Sequence, residues 1–288
     1  MLISVEQLHA AMQQQEDIVV LDARFRLGKP EAGLEMYQKG HIPGAVYIDL
    51  EKELSKPAAR PGGRHPLPEI DDLVACFAEK GIHQDCLIVV YDDNQGMAAR
   101  AWWLLTYLGH QHVFLLDGGI GAWLRAGYPL RQGEEQKTRQ TFTAMPMQGW
   151  TVDYEEVASL AEAGNGLFQL LDARDAVRFR GESEPIDAVA GHIPTAKNLP
   201  WTHFLHSDGT WKSPQEAKEI VASLQLSEDT PVIAYCGSGV TACSLIFALR
   251  RAGLRQIRLY PGSWSDYISH YNALIATGEK DENKYILP

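Results

Sequence analysis

The sequence predicts an α/β chain built from two copies of one domain, each a mostly parallel sheet flanked by helices. An internal repeat is the first observation. Val-Val-Leu-Asp22-Ala-Arg24 returns 150 residues later as Gln-Leu-Leu-Asp172-Ala-Arg174. Gly40-His-Ile-Pro-Gly-Ala45 returns as Gly191-His-Ile-Pro-Thr-Ala196, 151 residues on. Ile88-Val-Val-Tyr91 and Leu116-Asp-Gly-Gly119 return as Val232-Ile-Ala-Tyr235 and Tyr260-Pro-Gly-Ser263, both 144 residues on. Four motifs in one order mean a duplicated domain rather than a solenoid. The second observation is alternation: short apolar strands are separated by helical patterns, which indicates a parallel sheet.

The elements follow in order. Val5 to Met12 reads as a helix and Ile18-Val-Val-Leu21 as a strand. The stretch 58–68, Ala-Ala-Arg-Pro-Gly-Gly-Arg-His-Pro-Leu-Pro, reads as an irregular loop and holds much of the extra length of the first copy. Ile70 to Lys80 has helical spacing and stops at Gly81. Leu87 to Tyr91 is a strand, Ala98 to Leu108 an apolar helix ending at Gly109, and Val113 to Leu116 a strand. From Arg131 the chain turns polar and aperiodic, then gives Met-Pro-Met-Gln-Gly. The expected division is therefore 1–135 for the first copy, 136–149 for a linker and 150–288 for the second copy.

Bulk properties narrow the function classes. The chain has 288 residues, 45% hydrophobic and 22% charged, which is ordinary for a soluble globular protein. A net charge of −11 argues against a nucleic-acid surface or an anionic membrane as partner. The amino terminus reads as no signal peptide, and no apolar run reaches membrane-spanning length. Cysteines 76, 86, 236 and 243 form no disulfide framework and no metal-type pairs, so a reducing cytoplasm is expected.

Cys236 carries the chemistry. The apolar run Val232-Ile-Ala-Tyr235 stops at Cys236, followed by Gly237-Ser238-Gly239-Val240-Thr241 and then a helical pattern. The cysteine thus lies at a strand-to-helix turn. Backbone N–H groups there form an anion-binding nest, and the same dipoles favour a thiolate. The two glycines permit positive φ at low cost.

Together the four motifs resemble the rhodanese superfamily in its tandem-domain form. Tyr37-Gln-Lys-Gly-His-Ile-Pro-Gly-Ala45 looks like the family's amino-terminal signature, and Tyr260-Pro-Gly-Ser-Trp-Ser-Asp-Tyr267 like its carboxyl-terminal one. The resemblance spans nearly the whole chain. It implies a non-catalytic first copy, in keeping with Asp92 at the place that matches Cys236. The loop 236–241 is similar to that of members that use 3-mercaptopyruvate. Thiosulfate-specific members carry basic residues where this chain has Gly237 and Ser238.

What the resemblance implies is sulfur transfer through a Cys236 persulfide, from 3-mercaptopyruvate or thiosulfate to cyanide, a thiol or a thioredoxin-like protein, with no cofactor and no metal. Gly237, Ser238, Gly239, Val240 and Thr241 would cradle the persulfide. Arg178 matches the arginine that binds the donor's anionic group, Ser238 a serine that assists proton transfer, and His65 a histidine that reaches the same cleft. Three positions depart from the pattern. Ile186 follows Glu184-Pro185 where a second arginine is usual, an acid that would orient the histidine is replaced near Ser55-Lys56, and Pro261 stands where aspartate is common.

Other residues read as architecture. His41 and His192 occur in both copies, as do Asp22, Arg24, Asp172 and Arg174, so they are expected to tie down loops. Cys243, Cys76 and Cys86 read as core, as do Trp102 and Trp103. A cysteine phosphatase is disfavoured, because it needs an arginine six residues after the nucleophile and this chain has Ala242. A protein-fed sulfur carrier stays open.

Overall fold

The computed structural model describes residues 1–94, 96–164 and 167–287. It divides into two compact units. One comprises Met1–Lys56, Leu67–Met147 and His206–Trp211; the other comprises Pro57–Pro66, Gln148–Leu205 and the chain from Lys212 onward.

In the first unit the order is β1 (Leu2–Ile3), α1 (Val5–Gln13), β2 (Ile18–Asp22), α2 (Ala32–Lys39), β3 (Ala45–Tyr47), α3 (Ile70–Glu79), β4 (Leu87–Tyr91), α4 (Ala98–Tyr107), β5 (Val113–Leu116) and α5 (Gly119–Arg125). The strands form one parallel sheet in the order β1-β5-β4-β2-β3. β2 and β4 are buried over nearly their whole length, which is why their sequences are continuous apolar runs rather than alternating ones. α1 opens on a capping box: the Ser4 hydroxyl accepts from Gln7 N–H and the Gln7 side chain accepts from Ser4 N–H. α4 is buried from Ala98 to Leu105, so its apolar character marks a core helix. The stretch 58–68 contains neither helix nor strand, as its composition indicated.

Residues 136–147, expected in the linker, run along the first unit instead. Gln140 N–H donates to Ala78 O (2.9 Å) and Met145 N–H to Leu108 O (2.8 Å). Phe142 is buried, edge-on to Phe77. A strap held by backbone hydrogen bonds needs no hydrophobic period, so its polar sequence read as a free segment.

The second unit repeats the plan. It holds α6 (Tyr154–Ala163), β6 (Gln169–Asp172), α7 (Ala176–Phe179), β7 (Lys197–Asn198), a 3₁₀ turn (Trp201–Phe204), α8 (Pro214–Ser223), β8 (Val232–Tyr235), α9 (Thr241–Arg251), β9 (Ile257–Leu259), α10 (Ser263–Tyr267), β10 (Leu274–Thr277) and β11 (Asn283–Ile286). The parallel sheet runs β7-β6-β8-β9, and β10 and β11 make an antiparallel hairpin. Thr151 bridges Leu259 in parallel, the place that β1 holds beside β5 in the first unit. Ile233, Tyr235, Tyr260, Trp264 and Ile275 are among the side chains that fill its core.

The repeated motifs are structural in both units. Arg24 grips Asp22 and donates to Gly40 O (2.7 Å); Arg174 grips Asp172 and donates to Gly191 O at the same distance. His41 Nδ1 meets Tyr37 O and His192 Nδ1 meets Phe179 O, each at 2.8 Å. Trp102, Trp103, Cys86 and Cys243 are buried as expected, whereas Cys76 is half-buried. None of the four cysteines is in a disulfide, and no described helix is long and apolar enough to cross a membrane.

Candidate active site

β8 ends at Tyr235 and α9 begins at Thr241, so Cys236 opens a short loop beyond the carboxyl end of a central strand. Open α/β sheets place their sites there. Cys236 is buried, at 2% exposure. The motif 260–267 fixes it. Cys236 N–H donates to Ser263 Oγ (3.1 Å), and Ser263 Oγ donates in turn to Tyr260 O (2.9 Å). Trp264 N–H donates to Cys236 O (3.0 Å) and Ser265 N–H to Gly237 O (2.9 Å).

The two glycines of the loop act for different reasons. Gly239 has φ +76°, and a Cβ there would overlap the carbonyl oxygen of Pro261. Gly237 does not need positive φ, contrary to the expectation from its residue type. A Cβ on Gly237 would lie 2.8 Å from Arg64 Nη2, 3.5 Å from Arg178 Nη2 and 3.7 Å from Asp187 Oδ2. Its bare backbone lets two guanidinium groups come close to the cysteine.

α9 starts after Val240 with no side chain capping its first turn. Cys243 N–H turns back to Val240 O (3.0 Å), and the first N–H groups of the helix carry the positive end of its dipole. The first unit shows what such a loop holds. Asp92 follows β4 as Cys236 follows β8. Its carboxylate accepts from Asn94 N–H (2.7 Å), Met97 N–H (2.6 Å) and Ala98 N–H (2.9 Å). Burial pushes the Asp92 carboxyl up, and those N–H bonds oppose the shift. The first copy has thus filled its own nest with a side-chain carboxyl.

Segment 57–66 packs with the second unit and brings His65 to the loop. Arg64 N–H donates to Ser265 Oγ (3.1 Å) and Gly62 N–H to Ser269 Oγ (3.2 Å). His65 is buried, and its Nδ1 shares a 2.8 Å hydrogen bond with Ser238 Oγ. The structure therefore brings together two residues that are 173 positions apart in sequence.

Arg178 also reaches the loop, but within an ion network. Its Nε meets both carboxylate oxygens of Glu184 (3.0 and 2.9 Å) and its Nη2 meets Asp187 (3.1 Å). Glu184 pairs as well with the buried Arg174 (3.3 Å). Asp187 pairs with Arg64. Burial pushes the Arg64 guanidinium down, Cys236 opposes that, and Arg178 adds to it. A cavity of about 740 Å³ is lined among others by Arg60, Arg64, Asp187, Ser265 and His270, and by no residue of the loop 236–241, so Arg64 and Ser265 stand between it and Gly237.

Arg64, Glu184, Asp187, Ser263 and Ser265 are the parts that sequence reasoning left without a role. Arg64 stands directly before His65, and that adjacency was the one available signal. Trp264 is fully buried, donates to Val189 O (2.9 Å) and lies under Arg174, so it belongs to the core and not to a pocket wall.

Comparison with known proteins agrees with the fold. The profile of the rhodanese-like domain matches residues 4–126 and 153–270. A Pseudomonas aeruginosa protein named probable 3-mercaptopyruvate sulfurtransferase is 44% identical over 96% of this chain and 98% of its own length. A Mycobacterium tuberculosis protein with the provisional name thiosulfate sulfurtransferase SseB is 39% identical over 93% of this chain and 94% of its own. The crystal structure of SseA from Escherichia coli, described as a 3-mercaptopyruvate sulfurtransferase, superposes with a TM-score of 0.78 at 33% identity, covering 92% of this chain and 98% of that one.

Proposed function

From its membership of the rhodanese-like domain family, in the form that carries two copies of the domain, we infer that this chain is a sulfurtransferase acting on 3-mercaptopyruvate through a persulfide on Cys236. The observation that carries the reading is the loop itself. A buried cysteine opens the uncapped amino end of α9, beside a hydrogen-bonded His65–Ser238 pair and the Arg178 guanidinium. The names of the Pseudomonas and Escherichia relatives support the donor.

In the first half-reaction Cys236 thiolate attacks the thiol sulfur of the donor. An S–S bond forms and the C–S bond breaks, its electron pair passing to carbon. The pyruvate enolate so released takes up a proton, and the thiol proton of the donor balances it. His65 and Ser238 lie on that proton's route. In the second half-reaction cyanide or a thiolate attacks the outer sulfur and Cys236 thiolate leaves. This is nucleophilic catalysis with ping-pong kinetics. The persulfide carries a negative charge, and the N–H groups at the start of α9 stabilise it without having to reorganise. Arg178, with Nε on Glu184 and Nη2 on Asp187, offers its charge and its Nη1 to the donor's carboxylate.

Physiological acceptors suited to this chemistry are a small thiol or a thioredoxin-like protein, in a reducing compartment such as the cytoplasm. Thiosulfate is the second reading for the donor. It is favoured by the name of the Mycobacterium relative and by Ile186 where an arginine would strengthen carboxylate binding. Thiocyanate formation from cyanide, with each donor in turn at equal concentration, decides between them. The account expects the larger kcat/KM with 3-mercaptopyruvate; a larger value with thiosulfate would reverse the assignment.

A further inference from the structure

We propose that Arg64 is the second cation of the donor's anion site, acting with Arg178 on the carboxylate of 3-mercaptopyruvate; this rests on the function inferred above.

Four observations point to it. First, Arg64 reaches the nucleophile's loop from an irregular segment: its Nη2 lies 2.8 Å from where a Cβ on Gly237 would stand, closer than Arg178 Nη2 at 3.5 Å. Second, Arg64 Nε is buried and has no hydrogen-bond partner among the described residues. A buried charge-bearing group with a free N–H is costly, and an anion that docks there repays the cost. Third, Arg64 lines a cavity of about 740 Å³ and its side chain is 26% exposed, so a small anion can reach its guanidinium from solvent. Fourth, its backbone is pinned by Ser265, whose own N–H holds Gly237 O, so the backbone of residue 64 and the loop are fixed to one short helix.

Asp187 explains how two like charges lie so close. It pairs with both Arg64 and Arg178 and is itself buried to 5% side-chain exposure. One carboxylate thus spaces the two guanidiniums, and a second carboxylate, that of the donor, would be shared by the exposed part of Arg64 and by Arg178 Nη1, which lies outside these pairs. The neighbouring Ile186 is an apolar, exposed side chain and adds no cation. A role for Arg64 confined to tethering Asp187 would be served by any cation there, so Arg64→Lys would then keep the KM of the unaltered chain, and that difference can be measured.

The experiment compares Arg64→Gln and Arg64→Lys with the unaltered full chain, using 3-mercaptopyruvate as donor and saturating cyanide. Loss of one charge-assisted contact predicts a KM about 10- to 100-fold higher for Arg64→Gln, with kcat changed by less than about 3-fold. Arg64→Lys keeps the charge and loses the fork, so its KM should rise by only about 3- to 10-fold. Inhibition by pyruvate, which offers the carboxylate without the thiol, should weaken in the same order. Unchanged KM and unchanged pyruvate inhibition in folded Arg64→Gln would overturn the proposal and leave the function standing. If Arg64→Gln does not fold, the KM of Arg64→Lys decides alone, and an unchanged value overturns the proposal. No pyruvate from 3-mercaptopyruvate in the unaltered protein would overturn the inferred function, and this proposal with it.

Discussion

Alanine at Gly239 and alanine at Gly237 separate the two physical roles within one loop. Gly239→Ala puts a side chain into the left-handed region, since φ is +76° there. That costs an L-residue about 1–2 kcal/mol. The new methyl would also overlap the backbone of Pro261, whose carbonyl carbon is 3.0 Å away. Backbone cannot swing aside as a side chain can, so overpacking adds about 1–3 kcal/mol. The sum, about 2–5 kcal/mol, lowers the melting temperature by roughly 5–15 °C for a unit of this size. Gly237→Ala meets side-chain ends, those of Arg64, Arg178 and Asp187, rather than backbone, and keeps an ordinary φ. Relieving its 2.8 Å contact with Arg64 Nη2 moves that guanidinium by about half an ångström, which is felt in donor binding rather than stability. Calorimetry should show Gly239→Ala melting early and Gly237→Ala within about 2 °C of the unaltered protein. Steady-state kinetics should show a KM about 3- to 10-fold higher for Gly237→Ala. Equal melting temperatures for the two variants would refute the reasoning, as would an unchanged KM for Gly237→Ala.

His65→Gln and Ser238→Ala should each lower kcat by about 10- to 100-fold, and the double variant should fall no further than the worse single one, because the two share one hydrogen bond; multiplicative losses would mean independent roles. Asp92→Ala should destabilise the chain by about 2–5 kcal/mol in urea titration, since three backbone N–H groups lose their acceptor, while Asp92→Asn, which keeps one acceptor oxygen, should cost less. Equal costs would mean that the N–H nest is not what Asp92 serves. Arg174→Met should cost about 3–5 kcal/mol, because it leaves the fully buried Asp172 without its partner; a loss under about 1 kcal/mol would contradict the architectural reading of the repeated pair.

The strands Leu87–Tyr91 and Val113–Leu116 were legible residue for residue, because a strand buried on both faces must be a short apolar run bounded by turns. The duplication was legible because each Asp-x-Arg pair and each Gly-His-Ile-Pro stretch does the same local work in both units. Cys236 and Ser238 could be placed at the strand-to-helix turn because that turn is local in sequence. Arg64 and Asp187 could not. Both lie on aperiodic backbone, and nothing in a linear sequence says that residue 64 will dock on Ser265. The reason for Gly237 was hidden likewise, since it lies in a neighbour and not in its own φ. Residues 136–147 misled by composition: their hydrogen bonds are made by backbone, which every sequence has.

The most direct test of the account needs no acceptor. The protein is mixed with 3-mercaptopyruvate alone, and intact-mass and peptide mass spectrometry are read alongside released pyruvate. The account predicts one pyruvate per chain and one added sulfur atom, located on Cys236 and absent in Cys236→Ser, which keeps the size of the side chain and lacks the nucleophile. Sulfur on Cys76, Cys86 or Cys243 instead, or pyruvate release that survives in Cys236→Ser, would contradict it.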